Sequence, residues 1–299
     1  RSFPVTGVQT CALPIFHSHA DFTLLSYPGA RNSLAQGVTS EVVGNCGYSP
    51  APLAADPAKA EAHRVTCHGL GPDLDWAWRT WGEYLDRLDA ARPAVNALPL
   101  VGHGAVRAAI VGPDDRPATP AELAAMAAEG ETALAGGAWG FSTGLVYPPG
   151  SFAATDEIVA VAAPLRAHDA LYASHIRSEA SGLLDAVAEA IAIGSAHGVR
   201  VQVSHLKALG RRNHGRAKDA VALIADARAR GLRVTADAYP YAAGATFLSQ
   251  VLPPWVHDGG TSELLARIGS TEVRARIRRE IETGLPGWSN YVDGAGGWG

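Results

Sequence analysis

Short apolar runs with strand character alternate with helical segments along most of this chain. They begin near residues 39, 98, 138, 171, 199 and 232, and a seventh run lies around His17. Such alternation is typical of a parallel sheet whose crossover connections are helices. With 299 residues the chain could form one α/β barrel, a fold of about 250 residues. We therefore predict a TIM-type (β/α)8 barrel that is incomplete, with about seven of its eight strands.

An open doubly wound sheet is the alternative architecture, and the sequence offers it no support. No Gly-x-Gly-x-x-Gly turn opens a helix after an early strand, and no Gly-Lys-Ser/Thr loop occurs. Polar residues instead gather after the strand ends, which is where α/β barrels place their chemistry.

The chain divides into three parts by sequence pattern. Residues 1–15 begin without a Met, contain Pro4 and Pro14, and resemble translated adapter sequence at a fragment's end, so we leave them unassigned as non-native. Residues 16–241 carry strands one to seven of the barrel. After Tyr241 the periodicity fades, apart from one charged helix near residues 270–283, and no eighth strand is visible.

Composition excludes several classes of function. The net charge of −4, from 25 basic and 29 acidic residues, gives no electrostatic footprint for nucleic acid. Three cysteines at irregular spacing do not form a disulfide framework and are typical of a reducing compartment. No apolar run reaches the ~18 residues of a membrane span, and no secretory signal pattern is present. We therefore predict a cytoplasmic protein that binds neither nucleic acid nor membrane.

Five nitrogen and sulfur ligands are placed at strand ends. His17 and His19 point to the same side of an extended backbone because strand side chains alternate. Cys46, His175 and His205 each close a separate strand-like run. Any one of these residues alone is more often structural. Together they predict a metal site with too many ligands for one tetrahedral ion: either two metals bridged by the thiolate, or a tight site beside a weak one.

Zinc held by such ligands would favour hydrolysis. It polarises a bound water and a carbonyl oxygen, so an amide, ester or similar acyl bond is the natural substrate.

The chain resembles the N-acyl-D-amino-acid deacylases (D-aminoacylases) of the amidohydrolase superfamily from His17 onwards. The matching stretches are HSHADF at 17–22, QGVTSEVVGNCG at 36–47, LVGHG at 100–104, GFSTGLVYPPG at 140–150, YASHIRSE at 172–179, VSHLKALG at 203–210 and DAYPYAAG at 237–244. In combination these motifs are highly specific.

The resemblance implies a fold and a metal site. The fold would be a zinc-dependent TIM barrel with a small β-sandwich built from both chain ends, which is largely missing from this sequence. Cys46, His175 and His205 would hold one tight zinc ion, and His17 and His19 would contribute to a second, weaker position.

The resemblance also implies roles for three further residues. Tyr147 would hydrogen-bond the scissile carbonyl and its oxyanion. Lys207 and Tyr239 would bind the α-carboxylate of a small N-acyl-D-amino acid, which is hydrolysed to a carboxylate and a D-amino acid. The preferred side chain and the oligomeric state stay open.

The chain departs from the family pattern in two ways. An Asp at the end of strand eight is the family's general acid/base, and it would lie beyond residue 299. The family's Ala-Gly-Ser-Thr is here Ala243-Gly244-Ala245-Thr246, so one hydroxyl to the substrate carboxylate is lost. Residues 242–299 would begin the lid inserted between strands seven and eight. We expect the isolated 299-residue chain to be inactive or nearly so, because proton transfer of this kind contributes about 10²–10⁴-fold.

Two other functions remain as alternatives. The first is a cyclic-amide hydrolase of the dihydroorotase or hydantoinase type, although those enzymes generally carry a carboxylated lysine where this chain has Cys46. The second is a metal-binding protein without turnover.

Overall fold

Seven parallel strands form one sheet in chain order, each hydrogen-bonded to the next. The computed structural model describes residues 13–71, 74–285 and 287–298. The strands are β1 (Leu13–Ile15), β2 (Val38–Val43), β3 (Asn96–Gly102), β4 (Gly140–Gly144), β5 (Leu171–His175), β6 (Arg200–Val203) and β7 (Val234–Ala236). The sheet curls as a TIM-type barrel does, and no eighth strand joins it within the described ranges. The predicted fold class and strand number are confirmed.

The first strand begins inside the segment that the sequence left unassigned. Leu13–Ile15 pairs in parallel with β2, with Ile15 opposite Glu41. The rest of that segment, residues 1–12 with Cys11, lies outside the described residues.

Helices follow the strands. They are α1 (Arg31–Leu34), α2 (Pro57–Cys67), α3 (Trp81–Ala91), α4 (His103–Ile110), α5 (Pro120–Ala135), α6 (Thr155–Val161), α7 (Leu183–His197), α8 (Ala217–Ala229), α9 (Thr261–Gly269), α10 (Thr271–Thr283) and α11 (Tyr291–Ala295). None of the helices in the described part of the chain is both long and apolar enough to cross a bilayer.

Several helix ends follow directly from local sequence. Thr119 and Glu122 form a reciprocal capping box at the start of α5, the arrangement that a Thr followed three residues later by a Glu predicts. Helix α7 ends at Gly198, which adopts φ 66°. Its start was predicted near Glu179 but lies at Leu183, because residues 176–182 form a loop at the end of β5.

Strand side chains alternate between two apolar layers. In β3, Val101 packs in the large core between sheet and helices, whereas Leu100 belongs to a small cluster on the other face of the sheet. In β5, Tyr172 joins the large core, and Leu171 and Ala173 join the small cluster. This period of two places neighbouring strand residues in different apolar layers, one on each face of the sheet.

The segment after β7 is more helical than the sequence predicted. The charged helix is α10, and α9 and α11 lie before and after it. Val256, Leu264, Ile277 and Ile281 form a separate apolar cluster inside this segment.

Candidate metal centre

Four strand ends bring the five predicted ligands to one place. His17 and His19 follow β1, Cys46 follows β2, His175 is the last residue of β5, and His205 follows β6. All five are described by the structure, and Cys46, His175 and His205 are buried. Parallel strands place their carboxyl ends on the same edge of the sheet, so residues far apart in sequence meet there.

The Cys46 thiol lies at the centre of this cluster. Its Sγ is 3.4 Å from Nε2 of His17, 3.5 Å from Nδ1 of His175 and 3.6 Å from Nε2 of His205. The ligand atoms form two groups of three, His17–His19–Cys46 and Cys46–His175–His205, within each of which all atoms lie within 4.8 Å of one another. The two groups share one thiol, and either of them could hold a metal ion.

The donor chemistry fits a metal ion of the zinc type. Imidazole nitrogen and thiolate sulfur are preferred zinc ligands. His17 Nδ1, His19 Nδ1 and His175 Nε2 are buried without a hydrogen-bond partner, and the thiol faces three imidazole nitrogens at once. Such a set is hard to satisfy by hydrogen bonds alone, because neutral imidazoles offer one N–H each.

The backbone at the ligands is unusual. Cys46 and His205 adopt φ of 56° and 38°, a region that non-glycine residues rarely occupy. The His205 N–H donates to Oδ1 of Asp237 at 2.6 Å, which holds this turn. A Cβ on Gly144 would lie 1.9 Å from the Cys46 carbonyl oxygen, so only glycine lets β4 approach the Cys46 turn.

A second set of hydrogen bonds fixes the loop with His17 and His19. The Ser18 hydroxyl between them donates to Oε2 of Glu41 at 2.6 Å. The Asn45 side-chain amide donates to the Ser18 carbonyl at 3.3 Å and to the Val42 carbonyl at 2.9 Å. The loops after β1 and β2 are therefore tied together next to Cys46.

Burial favours the neutral, ligating form of His17, His19 and His175. It lowers the pKa of His19 to about 4, and it lowers the pKa of His17 and His175 well below the usual value; neighbouring imidazoles add to the effect, whereas Glu179 opposes it at His175. Burial, and then the charge of Glu179, raises the pKa of the Cys46 thiol when no cation is bound. A cation at the thiol would reverse that direction, because a coordinated thiol loses its proton.

Glu179 was not predicted as a site residue, yet it lies behind two of the ligands. Its Oε1 is 2.8 Å from Nδ1 of His205 and 3.8 Å from Nε2 of His175, and it also contacts the Lys207 ammonium. Burial alone would raise the pKa of Glu179, but His175, His205 and Lys207 outweigh it and lower the pKa to about 2. The carboxylate is therefore ionised. Its position four residues after His175 was the available sequence signal.

The residues predicted for substrate binding surround the cluster. Nζ of Lys207 lies 3.1 Å from Nδ1 of His205 and 5.3 Å from the centre of the Tyr239 ring. The Tyr147 ring centre is 4.8 Å from that of His175, and the Tyr147 hydroxyl is 3.1 Å from Oγ1 of Thr246. The structure thus brings all eight predicted site residues to the same end of the sheet.

Aromatic residues that the sequence analysis did not single out complete the surroundings. The Tyr48 ring centre is 5.3 Å from that of Tyr147, and the Phe247 ring centre is 6.0 Å from that of Tyr48. Burial raises the pKa of Tyr291 in α11 to about 12, and the negative charge of nearby Glu179 contributes to this increase. Tyr48, two residues after Cys46, could have been found by spacing, whereas no local pattern marks Tyr291.

Comparisons with known proteins identify relatives of this chain. No family model matches the chain. The chain is 42% identical over 234 residues to a D-aminoacylase and 42% identical over 233 residues to an N-acyl-D-aspartate deacylase, both from Alcaligenes xylosoxydans xylosoxydans. Each match covers 78% of this chain and about half of the relative, 47% and 46% respectively.

A solved structure supports the same relationship. N-acyl-D-glutamate deacylase from Bordetella bronchiseptica, complexed with zinc and a phosphonate mimic of the tetrahedral intermediate, superposes with a TM-score of 0.74 at 34% identity. The superposition covers 90% of this chain and 58% of that one. By sequence and by fold, this chain belongs to the N-acyl-D-amino-acid deacylase (D-aminoacylase) family of amidohydrolases.

Proposed function

We propose that the protein to which this chain belongs hydrolyses the amide bond of N-acyl-D-amino acids. The observation that carries the proposal is the pair of three-residue ligand groups sharing Cys46, with Tyr147 and Lys207 beside them. The matched relatives are named for this reaction. Because the chain spans about half of their length, the activity is proposed for the whole protein.

The metal we propose is zinc. Cys46, His175 and His205 would hold one tight ion, and His17 and His19 would contribute to a second, weaker position through the same thiolate. The neutral imidazoles and the buried thiol support this assignment. When bound, zinc supplies an activated water and polarises the substrate carbonyl.

The chain's own residues would orient the substrate and stabilise developing charge. Burial raises the pKa of Tyr147 far above neutrality, so its hydroxyl keeps its proton and can donate to the oxyanion of the tetrahedral intermediate. Lys207 and Tyr239 would bind the α-carboxylate. Lys207 has three N–H donors, which contact Glu179 and His205, so a substrate oxygen would replace one of the His205 contacts.

We also propose that residues 242–299 act as a lid over this site, following the barrel segment 16–241. Ser289 before α11 donates to Oγ of Ser178 at 2.9 Å, and Thr246 contacts Tyr147. A reducing compartment, the cytoplasm, suits a site whose central ligand is a free thiol.

A panel assay on the zinc-loaded full-length protein tests the proposal. We expect release of D-methionine from N-acetyl-D-methionine, much slower reaction of the L enantiomer and no opening of a hydantoin. Hydantoin hydrolysis without deacylation would favour the cyclic-amide alternative. If the protein binds zinc but neither hydrolyses the panel nor binds an N-acyl phosphonate, the non-catalytic alternative stands and the proposal fails.

A further inference from the structure

Glu179 contacts the rear of the ligand cluster and the carboxylate-recognition lysine at once. It is 5% exposed and follows β5 in the loop before α7. Oε1 lies 2.8 Å from Nδ1 of His205, on the side of the ring opposite the Nε2 that faces Cys46, and Nζ of Lys207 lies 3.1 Å from the same Nδ1. The same oxygen contacts the Lys207 ammonium.

From this geometry we infer that Glu179 is a positioning residue that fixes the metal-facing nitrogen of His205. An imidazole that donates Nδ1–H to a carboxylate must present Nε2 as the lone-pair atom. Nε2 is the atom 3.6 Å from the Cys46 thiol. Glu179 therefore selects the tautomer and the ring orientation that a shared metal position requires.

His205 is also held at its backbone, which makes the ring the remaining degree of freedom. Its N–H donates to Asp237, and Asp237 in turn accepts from Nε2 of Gln202 at 2.6 Å. Without Glu179 the imidazole could rotate or exchange its proton between nitrogens. Lys207 contributes by holding the carboxylate against the ring, since its Nζ also donates to the His205 carbonyl at 3.3 Å.

The inference rests on the proposed metal site, and zinc affinity of the unliganded protein tests it without any substrate. Chelator competition should give a dissociation constant about 10–100-fold weaker for Glu179→Leu than for the unmodified protein, the range found for carboxylates behind metal-bound histidines. Glu179→Gln keeps an acceptor oxygen and should fall between the two. Nitrogen-15 spectra should show His205 with Nδ1 protonated only while an acceptor is present at position 179.

Two variants separate positioning from general loss of a buried ion pair. Glu189→Gln weakens a comparable pair, with Arg177 at 2.9 Å, that touches no ligand. Lys207→Met breaks the same ion pair as Glu179→Leu but leaves the acceptor for His205. Glu189→Gln should change zinc affinity by no more than about twofold, because its pair shares no partner with the cluster. Lys207→Met should lose less affinity than Glu179→Leu, because His205 keeps its carboxylate acceptor.

Each outcome decides the inference. It is overturned if Glu179→Leu binds zinc as tightly as the unmodified protein, or if Lys207→Met loses as much affinity. It is also overturned if Glu179→Leu lowers the melting temperature of the metal-free protein enough to account for the whole loss of zinc affinity. That result would indicate a structural role for Glu179. A protein whose variants behave as expected but which never hydrolyses an N-acyl-D-amino acid would contradict the proposed function alone.

Discussion

Sγ of Cys46 lies 3.6 Å from Nε2 of His205, although 159 residues separate the two in sequence. Replacing the thiol by a hydroxyl should remove the ligand common to both groups. We predict that Cys46→Ser weakens zinc binding by more than about 100-fold, beyond the cost of losing an outer partner. Chelator competition measures the affinity. Cys67→Ser is the matched control, because Cys67 is also a buried free thiol but belongs to neither ligand group; equal losses would contradict the assignment.

Tyr147 should affect the reaction rather than the metal. Its ring lies 4.8 Å from that of His175, and its hydroxyl contacts Thr246. We predict that Tyr147→Phe lowers kcat by about 10²–10³-fold, as the loss of one oxyanion donor does in other hydrolases. Zinc affinity should stay unchanged. A variant with normal kcat and raised KM would indicate that Tyr147 binds the ground state only.

Gly144 allows β4 to approach the Cys46 turn. A methyl group there would meet the Cys46 carbonyl at 1.9 Å, and backbone cannot yield as a flexible side chain does. We predict that Gly144→Ala costs about 1–3 kcal/mol in free energy of unfolding and weakens zinc binding. Gly82→Ala, in α3 with nothing near its added methyl, should instead stabilise by about 0.5–1 kcal/mol. Urea titration compares the two, and similar effects would refute the steric explanation.

A buried ion pair stabilises the barrel away from the cluster. Nε of Arg107 lies 2.9 Å from Oε1 of Glu157, with the two side chains 0% and 6% exposed. Glu157→Gln leaves a buried guanidinium without its counter-charge, so we predict a loss of about 3–5 kcal/mol in free energy of unfolding. Glu122→Gln, in the more exposed pair with Arg116, should cost only about 0–1 kcal/mol. A loss under 1 kcal/mol for Glu157→Gln would show that the backbone carbonyls around Arg107 suffice, on the scale of about 1 kcal/mol per hydrogen bond.

His63 should make stability fall in mild acid. Burial lowers its pKa, although the hydrogen bond to the Ser49 carbonyl at 3.0 Å opposes this. Below the unfolded pKa of about 6.5 the unfolded chain binds the proton more readily than the folded one, so the free energy of unfolding decreases. From pH 7.5 to 5.5 this residue should contribute a loss of up to about 1.4 kcal/mol.

Comparing metal-free protein with His63→Gln isolates that contribution. The amide can still donate to Ser49 but does not titrate, so its stability should depend less on pH over the same interval. Identical pH dependence in both proteins would mean that other groups account for the whole effect.

The convergence of the five side chains could largely be predicted, because strand ends are encoded locally. His175 and His205 follow apolar runs that can only be strands in an alternating pattern, and parallel strands align their ends. Tyr147 and Lys207 were identified only through the family resemblance, because neither residue stands at a distinctive spacing in the sequence. The prediction that α7 starts near Glu179 was wrong, because residues 179–182 belong to the loop after β5, in which Glu179 contacts His205 and Lys207.

Other features depend on tertiary contacts that no local pattern encodes. The predicted helix included Glu179. Its contact with His205 is evident only in the folded structure, because His205 follows a different strand. Tyr291 comes near the cluster because α11 packs against short 3-10 helices in the segments after β6 and β7, at Arg211–Asn213 and Leu248–Val251. The positive φ of Cys46 likewise reflects the close approach of β4, which cannot be deduced from residues 44–47 alone.

The five side chains of the cluster lie at or after the ends of β1, β2, β5 and β6, so they would become available to a metal ion at different times during synthesis. His17, His19 and Cys46 leave the ribosome early, but the second group of ligands is incomplete until residue 205 has emerged. At the proposed metal site, an ion held by Cys46, His175 and His205 would link the first and last thirds of the described barrel. Its supply in the cell would then influence how much of the newly made chain matures.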